Sequence, residues 1–245
     1  MNLKKNERID YIFNQSLPII QSKDVFSFSL DAIILAYYTK ISPQSKVVVD
    51  LGSGNGAVAT FLLRKTKAKI IEIELQKQLV DMARRTRELN HAQKQITILN
   101  IDLKDSLKYM AHDSVDVLCC NPPYFKILPH SIRNPNSAFA IARHEVRTNL
   151  LQILKTTNLL LKSGGRAYFV HRPERLTEIL AGFSQYNLGI NRLKFIHSFR
   201  NTNAKMVFIE AIKGKSSDGI KIEPPLYIYK KKGIYTSELS DIING

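Results

Sequence analysis

The sequence predicts an α/β fold, a doubly wound and mostly parallel sheet, on three observations. Short β-branched runs alternate with segments of helical periodicity from residue 46 to residue 183, the pattern of strands joined by helical crossovers. A glycine-rich turn follows directly on the first of those runs. The chain has 245 residues, 44% of them hydrophobic, which is ample for a real core and excludes disorder as the main state. At ~150 residues per domain the length allows one or two, and the motifs below assign it to one.

Residues 30–40 have helical composition and stop before Pro43. Lys46-Val47-Val48-Val49-Asp50 is a strand, and the glycines after it lead into a helix over 57–63. The next strand covers 69–74, with a helix over 75–90, and 96–99 and 115–120 are two more strands. Residues 121–145 have little periodicity and four prolines, so they form a long loop, and such loops in compact domains are usually functional. A helix over 147–161 is stopped by Gly164-Gly165, the fifth strand covers 166–170, and a helix over 174–183 precedes two last strands near 192–199 and 205–212. The short turn Asn201-Thr202-Asn203 between those two excludes a helical crossover, so they form an antiparallel hairpin at the sheet edge. The expected whole is a seven-stranded, mostly parallel sheet over 45–213. A helical extension over 1–44 precedes it, and a basic, aromatic segment over 214–245 follows.

Lys and Arg outnumber Asp and Glu by 36 to 21, a formal charge of +15 spread along the chain. Self-repulsion on that scale is costly unless something is gained, and the usual gain is attraction to a polyanion, nucleic acid before membrane. Two basic clusters stand out. Arg84, Arg85 and Arg87 lie in a helical pattern and read first as a solvated face, with phosphate contact as the alternative. Lys230, Lys231 and Lys232 are flanked by Tyr227, Tyr229 and Tyr235, a mixture that suits base stacking with phosphate contact as well as it suits a basic loop beside edge-strand tyrosines. The longest apolar run falls far short of the ~20 residues that cross a bilayer, and the charged start Met1-Asn2-Leu3-Lys4-Lys5 does not read as a signal peptide. A soluble cytoplasmic protein is expected. The only cysteines, Cys119 and Cys120, are adjacent in a buried strand, which predicts reduced thiols and neither a disulfide framework nor a structural metal.

Asp50-Leu51-Gly52-Ser53-Gly54-Asn55-Gly56 sits between a strand and its helix, where glycines let the backbone turn sharply and approach a ligand. The spacing differs from that of dinucleotide folds. Asp50, ahead of the first glycine, adds an acceptor that would repel a pyrophosphate and favours a ligand with a cationic amine. Glu74 ends the next strand close to the ~20-residue offset at which a carboxylate meets a ribose diol. S-adenosylmethionine has both an amine and such a diol. Glu72 shares a face with Glu74 by period two, and Glu74 is preferred because it lies nearer the strand end. Asp102, after the third strand, either accepts from the adenine amino group of the cofactor or caps a loop.

Asn121-Pro122-Pro123-Tyr124 directly follows the fourth strand and should face the same cleft. Proline stiffens the backbone and offers a carbonyl acceptor without an N–H donor. The Asn121 side-chain oxygen and the Pro122 carbonyl can therefore accept both protons of a planar amino group. Such acceptors favour the pyramidal amine needed for methyl transfer and stabilise its growing positive charge. Tyr124 can stack on the target ring, as expected for a base withdrawn from its stack, and Phe125 is a further candidate for the pocket wall.

Together these residues resemble the S-adenosylmethionine-dependent amino-methyltransferases with an Asn-Pro-Pro-Tyr motif. More narrowly, the chain is similar to the bacterial tRNA (adenine-N6) methyltransferases that act on adenosine 37 of a valine tRNA. The narrower likeness rests on Phe28-Ser29-Leu30-Asp31-Ala32, Asn121-Pro122-Pro123-Tyr124-Phe125, Ala142-Arg143-His144-Glu145, Pro224-Pro225-Leu226-Tyr227-Ile228-Tyr229 and Tyr235-Thr236. It implies a single Rossmann-like methyltransferase domain with cofactor contacts from Asp50, Gly52, Glu74 and Asp102 and amine recognition by Asn121. With the residues' own reading, the candidate set is Asn121, Pro122 and Tyr124 for catalysis and Asp50, Gly52, Gly54, Gly56, Glu74, Asp102 and Asn121 for the cofactor. Glu72 stands where the family has a glycine, and the segment before Asp31 lacks the family's Phe-Gly-Thr. Arg143 is read as orienting the loop or meeting RNA, alongside Phe125 and Lys230 to Lys232, and His144 as a cap or phosphate contact. The expected partner is RNA, tRNA in particular, for a monomer without metal or membrane attachment. Methylation of guanine-N2 in rRNA, of a glutamine amide in a protein, and a non-enzymatic RNA-binding module are the alternatives.

Overall fold

The computed structural model describes residues 3–12, 16–24, 30–122, 149–216 and 219–244. Strands β1 (Glu7–Ile12) and β2 (Leu17–Ser22) form an antiparallel hairpin ahead of α1 (Leu30–Tyr38). Then come β3 (Val47–Leu51), α2 (Ala57–Leu62), β4 (Lys69–Ile73), α3 (Lys77–Leu89), β5 (Ile96–Leu99), a 3-10 turn over Leu103–Lys108 and β6 (Val115–Cys120). The expected loop over 121–145 lies almost wholly outside the described residues. After it in the chain come α4 (Leu150–Leu160), β7 (Leu161–His171), α5 (Leu176–Gln185), β8 (Leu188–His197), β9 (Ala204–Lys213), β10 (Lys221–Tyr227), β11 (Tyr229–Lys231), β12 (Ile234–Tyr235) and α6 (Ser237–Asn244).

The main sheet runs β10-β8-β9-β7-β6-β3-β4-β5. All pairs are parallel except β7 with β9 and β8 with β9. Successive residues of the central strands fall in two separate cores, as period two requires. Val48, Cys119, Tyr168 and Phe208 pack with α1, α2, part of α3 and α6, whereas Val49, Cys120, Phe169 and Ile209 pack with α4 and α5. The adjacent cysteines therefore belong to opposite faces, and burial pushes the Cys119 thiol up to about 12. Asn149 and Gln152 form a reciprocal capping box that starts α4.

Four expectations are corrected. The sheet has eight strands rather than seven, and the β8–β9 hairpin is not at its edge, because β10 adds in parallel outside β8. Pro224 and Pro225 obscure that strand in the sequence. At an edge their missing N–H groups cost little, and the ladder shifts register between Glu223 and Leu226 to pass them. Buried Arg192 fastens the addition, bonding Glu210 of β9 at 2.8 Å and Glu223 of β10 at 3.0 Å. The N-terminal extension is helical only at α1, since the expected helix gives way to the β1–β2 hairpin. Finally, α4 ends at Leu160 and β7 begins at once, so Gly164-Gly165 lies inside a strand.

Candidate active site

The chain turns from β3 to β4 and β5 on one side and to β6 and β7 on the other, so the sheet changes direction between β3 and β6. Ligands of open α/β sheets bind at such a switch, outside the carboxyl ends of the strands. The ladders align Leu51, Ile73, Leu99 and Cys120 in one row. Gly52, Glu74, Asn100 and Asn121 are therefore the next residues out, side by side along the edge.

Gly52, Gly54 and Gly56 have φ of +75°, +60° and +84°, which a glycine turn requires. The loop is fastened to β4, because the Gly52 and Ser53 N–H groups both donate to the Ile73 carbonyl at 2.8 and 3.1 Å. Among the described residues a Cβ on Gly52 or Gly54 would meet nothing within 4 Å, so the backbone there is open on that side. A Cβ on Gly56 would lie 3.0 Å from the Glu72 carboxylate, and Gly56 is thus needed for its conformation and for room.

Three carboxylates converge under this loop. Glu74 accepts from Gly54 N at 3.0 Å and Gln76 N at 2.7 Å, while Asn100 bonds the Glu74 and Leu75 carbonyls at 2.9 and 3.0 Å. Burial raises the Glu74 pKa against those N–H groups. Asp50 is fully buried, which pushes its carboxyl up to about 7. Glu72, its register partner on β4, is pushed up to about 8, by burial first and the Asp50 charge second. Asp50 Oδ2, Glu72 Oε2 and Ser53 Oγ are buried without a hydrogen-bond partner among the described residues. Asp102 lies at the same edge, where its side chain accepts from Lys104 N at 3.0 Å and caps the 3-10 turn.

Asn121 is half-buried and Pro122 buried. Tyr124, Phe125, Arg143 and His144 lie outside the described residues. Lys230, Lys231 and Lys232 are exposed on the β11–β12 hairpin. The arginine cluster divides, because Arg85 is largely buried in bonds to Glu7 and Asp81 and so joins α3 to the N-terminal hairpin. Sequence reasoning missed Asn55, which sits in the glycine loop yet bonds the Ile20 carbonyl of β2 at 2.9 Å, and Asn100, which steadies the turn after Glu74. An asparagine between two loop glycines was the available signal for the first. Among the described residues no group of three His, Cys, Asp or Glu side chains is placed to hold a metal ion, and no helix is long and apolar enough to cross a membrane.

The family described as methyltransferase small domain matches residues 17–195, well over half of the chain. The chain belongs to that family. Two curated relatives of this methyltransferase are named tRNA1(Val) (adenine(37)-N6)-methyltransferase. That of Shewanella halifaxensis is 26% identical over 65% of this chain and 63% of its own length. That of Shewanella sediminis is 24% identical over 89% of this chain and 90% of its own. The crystal structure of a predicted O-methyltransferase from Agrobacterium tumefaciens shares the fold, with a TM-score of 0.67 at 20% identity over 87% of this chain and 95% of that one. The methyltransferase is S-adenosylmethionine-dependent, and its glycine loop fits that cofactor. Open backbone at Gly52 and Gly54 leaves room, and unpartnered buried carboxylate oxygens suit a ligand carrying positive charge.

Proposed function

We propose that the methyltransferase modifies an exocyclic amine of RNA, N6 of an adenosine in tRNA, at anticodon-loop position 37 of a valine tRNA. The observation that carries the reading is the alignment of Asn121 with Gly52 and Glu74 in one row at the sheet's switch point. S-adenosylmethionine, when bound, supplies an electrophilic methyl group on a positively charged sulfur. Asp50, Gly52, Gly54, Gly56, Glu74 and Asp102 are the residues we assign to holding it. Glu74 Oε2 keeps a lone pair beyond its bond to Gly54 N, which suits a diol hydroxyl. Asn121 and Pro122 accept the two protons of the target amine, hold it pyramidal and favour the charge that grows on it in the transition state. Tyr124 is the ring we assign to stacking on the flipped base, with Phe125 beside it in sequence as a pocket wall and Arg143 as the residue that orients the segment or meets RNA. Lys230, Lys231 and Lys232 would meet phosphates.

The names of the Shewanella relatives support tRNA as the substrate, and so does a charge of +15 that methylation of a protein amide does not explain. In this reading the whole chain works as one catalytic domain, a cytoplasmic monomer. The test is incubation with labelled S-adenosylmethionine and, in parallel, total tRNA, rRNA and protein from a strain lacking the gene, followed by nucleoside and amino-acid analysis. Label in one adenosine as N6-methyladenosine is expected. Label in guanine-N2 of rRNA, in a protein glutamine, or in nothing overturns it.

A further inference from the structure

We propose that the β11–β12 hairpin and the β8–β9 turn form a nucleotide-stacking surface that grips unpaired RNA beside the target base. The inference rests on the reading that the substrate is RNA, and it adds where that RNA is held. Strand direction puts the surface on the same edge as the site. β6 and β7 are parallel, β9 opposes β7, β8 opposes β9 and β10 follows β8, so β8 and β10 end where β6 delivers Asn121. The root of the hairpin is fastened there by Ile228 N to the His197 carbonyl and Tyr229 N to the Ser198 carbonyl, both at 2.9 Å. Thr236 closes it, donating from Oγ1 to the Tyr227 carbonyl at 2.6 Å.

Rings are stacked on that frame. Phe199 lies 5.3 Å from Tyr229 with planes 31° apart, and Tyr229 lies 5.3 Å from Tyr235 with planes 23° apart. The column ends in Tyr235, which is 45% exposed. Beside it the Arg200 guanidinium sits 5.6 Å from the centre of the Tyr227 ring. Lys230, Lys231 and Lys232 are exposed at the tip, next to Gly233 at φ +78°. Among the described residues none of Arg200, Lys230, Lys231 and Lys232 forms an ion pair, whereas Arg85, Lys162 and Lys213 each bond an acid.

A part-exposed ring column with unneutralised cations is the arrangement that binds single-stranded nucleic acid, since every base has a face to stack and every nucleotide a phosphate. An acidic peptide would use the cations and leave the rings without purpose. β6 and β8 are three strand spacings apart in the sheet, about 14 Å, a reach of a few nucleotides from Asn121.

The test measures binding of a fluorescently labelled anticodon stem-loop RNA to the full chain. Tyr235→Ala should weaken binding roughly tenfold, Tyr235→Phe should restore it, and Arg200→Ala, in an exposed turn, should weaken it independently. Calorimetric affinity for S-adenosylmethionine and kcat at saturating RNA should not move, which separates a binding surface from a folding defect. If the wild-type protein methylates RNA and the Tyr235→Ala and Arg200→Ala variants both bind within twofold of it, the surface is wrong and the substrate reading stands. If the wild-type protein methylates no RNA, the substrate reading fails and the surface with it.

Discussion

Asp50 and Glu72 pair in register on neighbouring strands and are both buried, a position in which two carboxylates cannot both hold their charge at low cost. Glu74 beside them adds to the repulsion and Arg87 opposes it. Their ordinary values of 3.8 and 4.5 rise to about 7 and about 8. Between those limits the folded chain keeps protons that the unfolded chain has released, so stability falls as pH rises and levels off above about 8. Glu72→Gln should therefore match the wild-type melting temperature near about pH 5 and exceed it by several degrees at about pH 8, read by calorimetry. Equal melting temperatures at the higher pH would mean that water, rather than a proton, neutralises the pair. Asn121 carries the other residue-scale expectation. Asn121→Ala should slow the chemical step by roughly 100-fold in single-turnover assays and leave cofactor affinity nearly intact, since its oxygen is used chiefly in the transition state. An equal loss of cofactor binding would place Asn121 against the cofactor instead. The glycine loop, Glu74 and Asn121 were legible because each follows a recognisable strand. The buried contact of Glu72 with Gly56 was not, because period two places Glu72 and Glu74 on one face and cannot tell which is covered.

Among the elements, the N-terminal hairpin is the one that sequence periodicity misplaced. β1 and β2 are held by side chains from α3 and the glycine loop: Arg85 to Glu7 at 2.6 Å, Ile20 N to Thr86 Oγ1 at 3.1 Å, and Asn55 to Ile20 O at 2.9 Å. Replacing Arg85 with Met removes the guanidinium that bonds both oxygens of Glu7, whose side chain is 3% exposed, and leaves that carboxylate the Lys4 N–H at 2.7 Å. The expected cost is about 3 kcal/mol of unfolding free energy in urea titration. A loss of a few tenths would show that the hairpin is not anchored there. Because Asn55 is part of the glycine loop, the same variant should also weaken cofactor binding. The Arg85 hydrogen bond holds the Glu7 carboxyl below the usual range, so the clamp's contribution is present at neutral pH and is lost as pH falls into the acid range. β10 escaped sequence reasoning for the complementary reason. Its two prolines argue against a strand in general, and only an edge position with a register shift accommodates them.

At the scale of the whole molecule, +15 predicts steep salt dependence for any RNA complex, since each phosphate neutralised releases a counterion. Replacing Lys230, Lys231 and Lys232 together with Gln should flatten the plot of log affinity against log salt by about 2, at ~0.7 per contact with a single strand. An unchanged slope would remove the hairpin from the interface. The sequence by itself determined the α/β class, the glycine loop, the place of Asn121 and Pro122 directly after a strand and the chain's own positive charge. These depend on local order: strand, turn and helix periodicity follow from neighbouring residues, and net charge is a sum that needs no coordinates. Tertiary structure decided the rest. Long-range pairing placed β10 outside β8, attached β1 and β2 to the helical layer and took Arg85 out of the solvent-facing cluster. It also brought the tyrosines of the C-terminal segment to the carboxyl edge that carries Asn121, because strand direction and register depend on residues far apart in the chain.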